Sequence, residues 1–273
     1  MAAPEADTRA QAGLSALATT AIDTTVRSVT LPAGGPWIIF QLWAQVVQAT
    51  LVASDGIFAN MRLNAPNGDL TPNPAPSRFP ITPQPSFLGA TGGAQISPLV
   101  LWDVYYKAPG KSTLELIINQ SVANAVAPGA AMGIIFGKTR PVAKPFTFMD
   151  RVRAQVTSAA VTAVGTITLA ENAKMITAVG GVIGQDNVGT TLEELIGIFS
   201  LASDDIVFPP SEYPFQAAFS GVLGATGDCN YGGIPIMIPV NIPVVGGARI
   251  DCSVDLLTAV TNAAEVAIFI AYE

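Results

Sequence analysis

The sequence predicts an all-β protein made of two tandem β-sandwich domains that arise from an internal duplication, with a short helix in the second copy. Three observations lead there. Val, Ile, Thr and aromatic residues gather in short runs bounded by Gly, Pro and Asn, the pattern of strands and turns. Landmarks recur in one order about half a chain apart. Charged residues are only 12% of the 273, while 25 Gly and 21 Pro supply chain reversals; ordinary soluble domains carry about 25% charge.

The repeat is visible in four places. Leu-Gly-Ala-Thr-Gly occurs at Leu88 and again at Leu223, 135 residues on. Ser28-Val29-Thr30-Leu31 faces Thr166-Ile167-Thr168-Leu169 at an offset of 138, and Thr113-Leu114-Glu115-Leu116 faces Arg249-Ile250-Asp251-Cys252 at 136. AMGIIFG from Ala131 faces EVAIFIA from Glu265 at 134. The implied organisation is an N-terminal arm at 1–20, a first copy at 21–140, a basic linker at 141–153 and a second copy at 154–273. A copy of roughly 100–150 residues can bury its own core.

Taken in order, Ala2 to Thr20 is Ala-rich with few anchors and reads as a flexible or helical arm, or as a disordered terminus. Its acids precede its only Arg and it has no apolar h-region, so it does not read as a secretory signal. The start reads as a mature, non-secreted product or as one whose leader has been removed. VRSVTL from Val26 is a strand. Trp37 to Val47 is ambiguous, because Gln41, Gln45 and Gln48 follow helical spacing. Its counterpart from Met175 holds Gly180, Gly181 and Gly184, each costing about 1 kcal/mol in a helix, so a strand serves both copies better. The same glutamines interrupt the longest apolar stretch, Pro36 to Ala53, and the other apolar runs are far short of the ~20 residues of a membrane span, so no transmembrane helix is predicted.

Asn64 to Pro85, dense in proline, is an extended surface loop without regular ladders. SPLVLWDVYY from Ser97, TLELII from Thr113 and GIIFG from Gly133 complete the first copy as strands. VGTITL from Val164, IPIMIPV from Ile234 and VAIFIAY from Val266 do so in the second. Trp37, Trp43 and Trp102 sit inside apolar runs and are predicted to be core. Thr191-Leu192-Glu193-Glu194 is a capping box, and Leu192, Leu195, Ile196 and Phe199 follow as one helical stripe. That helix packs on its own sandwich or binds a partner.

Chemistry is sparse. The chain has no histidine, which removes Ser-His and Cys-His pairs, His-ligated zinc and the usual general base. Cys229 and Cys252 alone make no Cys₄ zinc site; they are two buried free thiols or one bridge. Gly110-Lys111-Ser112 resembles the end of a P-loop, but Tyr105 stands where the earlier glycine is required. The acidic pairs Glu193-Glu194 and Asp204-Asp205 are neighbours in sequence, which points them to structural use. Asn119-Gln120-Ser121 is a glycosylation sequon. Catalytic, cofactor-binding and metal-binding residues are therefore predicted to be none, and the protein not to be an enzyme. Net charge is −7. Lys138, Arg140, Lys144, Arg151 and Arg153 form the one basic concentration, a solvated linker or a binding patch. With only Arg9 in the first 26 residues there is no basic genome-binding arm.

An acidic, charge-poor chain of two sandwich copies, each ending in a hydrophobic strand (GIIFG, then AIFIAY), resembles the double jelly-roll major capsid proteins. That viral lineage includes adenovirus hexon and coats of viruses with internal membranes. The resemblance covers nearly the whole chain after residue 20 and rests on architecture, not on a short motif. It implies two jelly rolls side by side, and trimers forming pseudo-hexagonal capsomers that tile an icosahedral shell. The implied location is the virion, after synthesis in the host cytoplasm. The implied partners are further copies of the chain, other capsid proteins and, through the N-terminal arm, an internal membrane, with no direct contact to nucleic acid. Low charge follows from large buried interfaces, whose cores are depleted in charged residues. The chain is short for the family, leaving little room for towers. Two other readings are an extracellular subunit such as an S-layer or pilus protein built by strand addition, and a duplicated β-sandwich that binds ligands.

Overall fold

The computed structural model describes residues 7–48, 59–74, 77–81, 95–97, 99–121, 123–185, 195–206, 211–217, 235–261 and 263–273. Among them lie eighteen strands and no helix. The first half contains β1 (Thr8–Ala16), β2 (Asp23–Thr30), β3 (Trp37–Gln48), β4 (Ala59–Asn64), β5 (Phe79–Ile81), β6 (Gln95–Ile96), β7 (Val100–Ala108), β8 (Thr113–Gln120) and β9 (Gly129–Gly137). The second contains β10 (Phe148–Val156), β11 (Thr162–Thr168), β12 (Met175–Gln185), β13 (Gly197–Ala202), β14 (Ser211–Pro214), β15 (Gln216–Ala217), β16 (Ile238–Pro243), β17 (Arg249–Leu256) and β18 (Ala264–Tyr272).

In the first half one sheet runs β1-β9-β3, with β7 and β6 both against β3, and the other runs β2-β8-β4-β5. Raising every label by nine gives the second half: β10-β18-β12 with β16 and β15, and β11-β17-β13-β14. In each half the first strand pairs antiparallel with the last, the winding of a jelly-roll sandwich. Irregularities repeat as well. The ladder slips at Val26 in β2 and at Val164 in β11, and again at Phe40 in β3 and Thr177 in β12. Such bulges are placed features of a fold. Only the shortest strands differ: β6 is antiparallel to β3, whereas β15 is parallel to β12.

Two of the sequence landmarks fall where the repeat requires. Ser28–Leu31 with Thr166–Leu169, and Thr113–Leu116 with Arg249–Cys252, occupy matching ladder positions. The third needs a correction of two residues, because the bulges set Ile135 opposite Gln41 in one half and Ala271 opposite Ala178 in the other. A slip of two keeps every side chain on its face, so the hydrophobic pattern could not reveal it. Both Leu-Gly-Ala-Thr-Gly segments lie outside the described residues.

The first core fills the space between its two sheets, with Leu42 and Ala44 of β3, Met61 of β4, Leu116 of β8 and Ile134 of β9. The second core does the same with Val179, Phe199, Val254 and Ile268, and is continuous with the outer face of the first half through Ala10, Ala12, Trp43 and Ile135. Strand β9 is thus buried at every position, while its counterpart β18 is buried on one face and partly open on the other.

Five expectations are revised. The arm at 1–20 contains a strand: Thr8–Ala16 is β1, whose Ala10 and Ala12 lie in a close contact that larger residues would prop open. The linker at 141–153 ends in a strand, since β10 starts at Phe148. The helix is not supported. Leu195 and Ile196 lead into β13, and Phe199 pairs with Val254 and Tyr213 in a sheet; Thr191–Glu194 lie outside the described residues. The Asn64–Pro85 loop holds β5, paired to β4, and Thr71 exchanges backbone hydrogen bonds with Lys107 at 2.9 and 2.8 Å. Trp102 is 37% exposed, unlike the fully buried Trp37 and Trp43.

Candidate functional site

The two halves meet along a built junction. Strand β1 and the outer face of β9 pack against β14, and β1 also touches β13 and β16. Trp43 of β3 lies flat over Gly133 of β9, its cross-strand partner, and is wholly buried. Polar contacts tie the edge of β1. Glu212 Oε2 accepts from the Ala12 N–H at 2.9 Å and from Arg27 Nη1 at 2.6 Å, while Arg27 also donates to the Ala12 carbonyl. The Asn241 N–H of β16 donates to Thr8 Oγ1 at 2.9 Å. Partial burial, and then the Glu212 charge, push the Asp255 carboxyl up, against the pull of Arg27.

Among the described residues, the equivalent surfaces carry exposed side chains. On the outer face of β10, Met149, Arg151 and Arg153 occupy the positions of Ala10, Ala12 and Leu14. Met149 is 44% exposed and both arginines are exposed. Phe269 of β18 sits opposite Gly180 of β12, the bulky and bare partners having changed strands relative to Trp43 and Gly133. An open cavity of about 520 Å³ lies on this face, lined by Arg151, Arg153, Val182, Glu265 and Phe269. On the β5/β7 edge of the first half, equivalent to the docked β14/β16 edge, Thr71 pairs with Lys107 and Arg140 with Asp103, while outward-facing side chains between them stand exposed. Tyr105, at the position of Asn241, is 55% exposed. Phe79 stands in the place of Tyr213 and tilts against Trp102 at 6.0 Å. Sequence reasoning missed both surfaces, because the signal is which face lacks a cover.

The residues singled out from sequence do not converge. Arg140 pairs with Asp103 at 2.5 Å and Lys144 with Glu273 at 2.7 Å, while Lys138 sits 6.0 Å from the Trp37 ring centre. Arg151 and Arg153 belong to the β10 face, so the five bases form no single patch. Asp205 is structural: its carboxylate accepts the Arg249 N–H at 2.9 Å. Glu193, Glu194 and Cys229 lie outside the described residues. Cys252 is a free buried thiol pushed up to about 12 by burial and by the Asp251 charge. Asn119 Nδ2 donates to Asp23 at 2.8 Å. Partial burial pushes Asp23 up, but Asn119, Arg62 and Arg78 outweigh it and hold the carboxyl below its ordinary value. Lys111 and Ser112 form the β7–β8 turn, with Ser112 Oγ donating to the Pro109 carbonyl at 2.9 Å. Among the described residues no three His, Cys, Asp or Glu side chains gather as a metal site.

No protein-family profile and no curated protein matches the sequence. Solved structures similar to the chain include the STIV MCP, 10% identical over 97% of this chain and 96% of that one, with a TM-score of 0.25. N-glycanase F (PNGase F) is 12% identical over 98% and 96%, with a TM-score of 0.26. A T=1 Penaeus vannamei nodavirus chain is 13% identical over 99% and 99%, with a TM-score of 0.19. Overlaps this loose carry no functional assignment, which is left to the geometry.

Proposed function

We propose that the protein is a structural virion protein of double jelly-roll type, a major capsid subunit whose trimers form pseudo-hexagonal capsomers of an icosahedral shell. The observation that carries this reading is the strand-for-strand repetition of one sandwich, bulges included, within a single chain. Two similar modules per chain give three chains six similar edges, so one sequence can tile a surface that needs six neighbours, and symmetry closes the assembly. Jelly rolls also serve lectins and cupins, but the absence of histidine and the apolar filling of both sandwiches favour a building block over a pocket. The repetition is read as an internal duplication. The proposed location is the virion, with further copies and other capsid proteins as partners.

The test is the solution mass by light scattering, followed by negative-stain images of the same sample. A species of three times the 28.1 kDa chain with a hexagonal outline, or closed shells, is the expected result. A monodisperse single chain at all concentrations refutes it.

A further inference from the structure

We infer that the junction inside one chain is repeated between chains: the β5/β7 edge of one copy docks on the outer β10/β18/β12 face of the next, head to tail. This deepens the capsid reading by naming the contact that would join its subunits. The argument is one of equivalence. In the first half the outer face of β1 and β9 is covered, and the edge that covers it is β14/β16 of the second half. Among the described residues, the equivalent face and the equivalent edge expose Met149, Arg151 and Arg153 on one and Trp102 and Tyr105 on the other. A second copy is the occupant whose edge repeats the strand order of β14/β16, and Met149, Arg151 and Phe269 make its seat bulkier than the one formed by Ala10, Ala12 and Gly133.

These two surfaces also carry the residues that interfaces use. The edge presents Trp102 at 37% and Tyr105 at 55% exposure, with Phe79 beside them. The face presents Arg151, Arg153 and Phe269 around the 520 Å³ cavity. Trp, Tyr and Arg dominate binding energy at protein interfaces, and a guanidinium stacks on an aromatic ring. One backbone contact should carry over directly. Thr8, which accepts the Asn241 N–H, corresponds to the exposed Thr147, and Asn241 corresponds to Tyr105. Tyr105 of one copy therefore approaches Thr147 of the next. The salt bridge does not carry over. Gly165 stands at the position of Arg27, and Arg78, which is paired with Asp23 at 3.4 Å, at that of Glu212. The contact between copies thus relies on aromatic–arginine packing where the internal one relies on Arg27 and Glu212.

The experiment uses two full-length chains in a Cys229→Ser background, one carrying Tyr105→Cys and the other Thr147→Cys, mixed and treated with a short bismaleimide. Dimers that pair 105 with 147 should far outnumber 105–105 and 147–147 dimers. In parallel, Arg153→Glu in the otherwise unchanged protein should weaken association at least tenfold by light scattering, while circular dichroism and the unfolding midpoint stay put, because the side chain is exposed. Trimers or shells without the 105–147 crosslink overturn the docking and leave the capsid reading standing. Crosslinked rings or filaments that never build shells support the docking and refute the capsid reading. A chain that stays single at every concentration, or like-with-like crosslinks alone, overturns the docking.

Discussion

Placing a methyl group at Gly133 tests whether the junction is as tightly packed as described. A Cβ there would stand 2.4 Å from Trp43 Cε2, 2.5 Å from Cζ2 and 2.6 Å from Nε1. Carbon atoms pack at about 3.5–4.0 Å, so the indole must withdraw by roughly 1 Å. It has nowhere to go, being fully buried between β9 and the second half. Overpacking of this kind costs about 1–3 kcal/mol, and a side chain confined on both faces belongs at the upper end. Gly133→Ala should therefore lose about 3 kcal/mol in urea unfolding, and its thermal midpoint should fall by roughly 6–10 °C. Trp43→Leu removes all three clashing atoms and is itself destabilising through the cavity it leaves. In the double variant the two losses should fall short of their sum by about 2 kcal/mol, as expected for residues in contact. Losses that add to within about 0.5 kcal/mol, or a Gly133→Ala protein as stable as the parent, would refute the packing argument.

Three further outcomes are expected. Glu212→Ala strips the Ala12 N–H of its side-chain acceptor and Arg27 of its ion pair, leaving Arg27 the Ala12 carbonyl, and should cost about 1–2 kcal/mol, measured by urea unfolding, with Glu212→Gln recovering part of it. The isosteric changes Asp255→Asn and Asp23→Asn should respond oppositely to pH in unfolding midpoints between about pH 2 and 7, the Asp23 response falling below about pH 4. The Asp255 carboxyl is raised in the folded protein, so its contribution is full below the unfolded value near ~3.9 and is lost as pH rises through the folded value; Asn should stabilise at pH 7, with the gap closing toward pH 4. The Asp23 carboxyl is lowered, so its contribution is present above the unfolded value and lost as pH falls; Asn should destabilise at pH 7, and the loss should shrink in acid. In a Cys229→Ser background the native protein should resist thiol reagents and take up one label per chain only in denaturant, since Cys252 is 2% exposed with its thiol raised to about 12; labelling of the folded protein, read by mass spectrometry, counts against that burial.

The sandwich class and the repeat were legible because half-buried strands advertise themselves. Val29 and Leu31, like Ile167 and Leu169, alternate with polar residues and recur at a constant offset. What stayed hidden has physical causes. In each half a close approach needs one bare residue, but the two halves bare opposite partners: Trp43 over Gly133 against Gly180 facing Phe269, and Gly13 beneath Arg27 against Val152 beside Gly165. Geometry is kept while no sequence column matches. Strand β1 was missed because its small residues, Ala10 and Ala12 against the second half and Gly13 beneath Arg27, look like weak anchors. The helix expectation failed because Leu195, Ile196 and Phe199 fit helical spacing in isolation, and only the pairing of β13 with β17 and β14 decides otherwise. The assembly surfaces were illegible in principle: Arg151 and Arg153 read as part of a basic run until their face is compared with its covered twin.

A strand buried on both sides is also a constraint on descent. Every residue from Gly129 to Gly137 is buried and the side chains alternate between the two cores, so nearly any replacement there disturbs one of them. In β18, by contrast, Glu265, Ala267 and Phe269 are open or half-buried while the other residues are buried. If the two halves began as identical copies, the pair should have drifted at unequal rates, β9 slowly throughout and β18 quickly at Glu265, Ala267 and Phe269. If those three positions prove as slow as β9 among relatives, the brake on them comes from outside the chain.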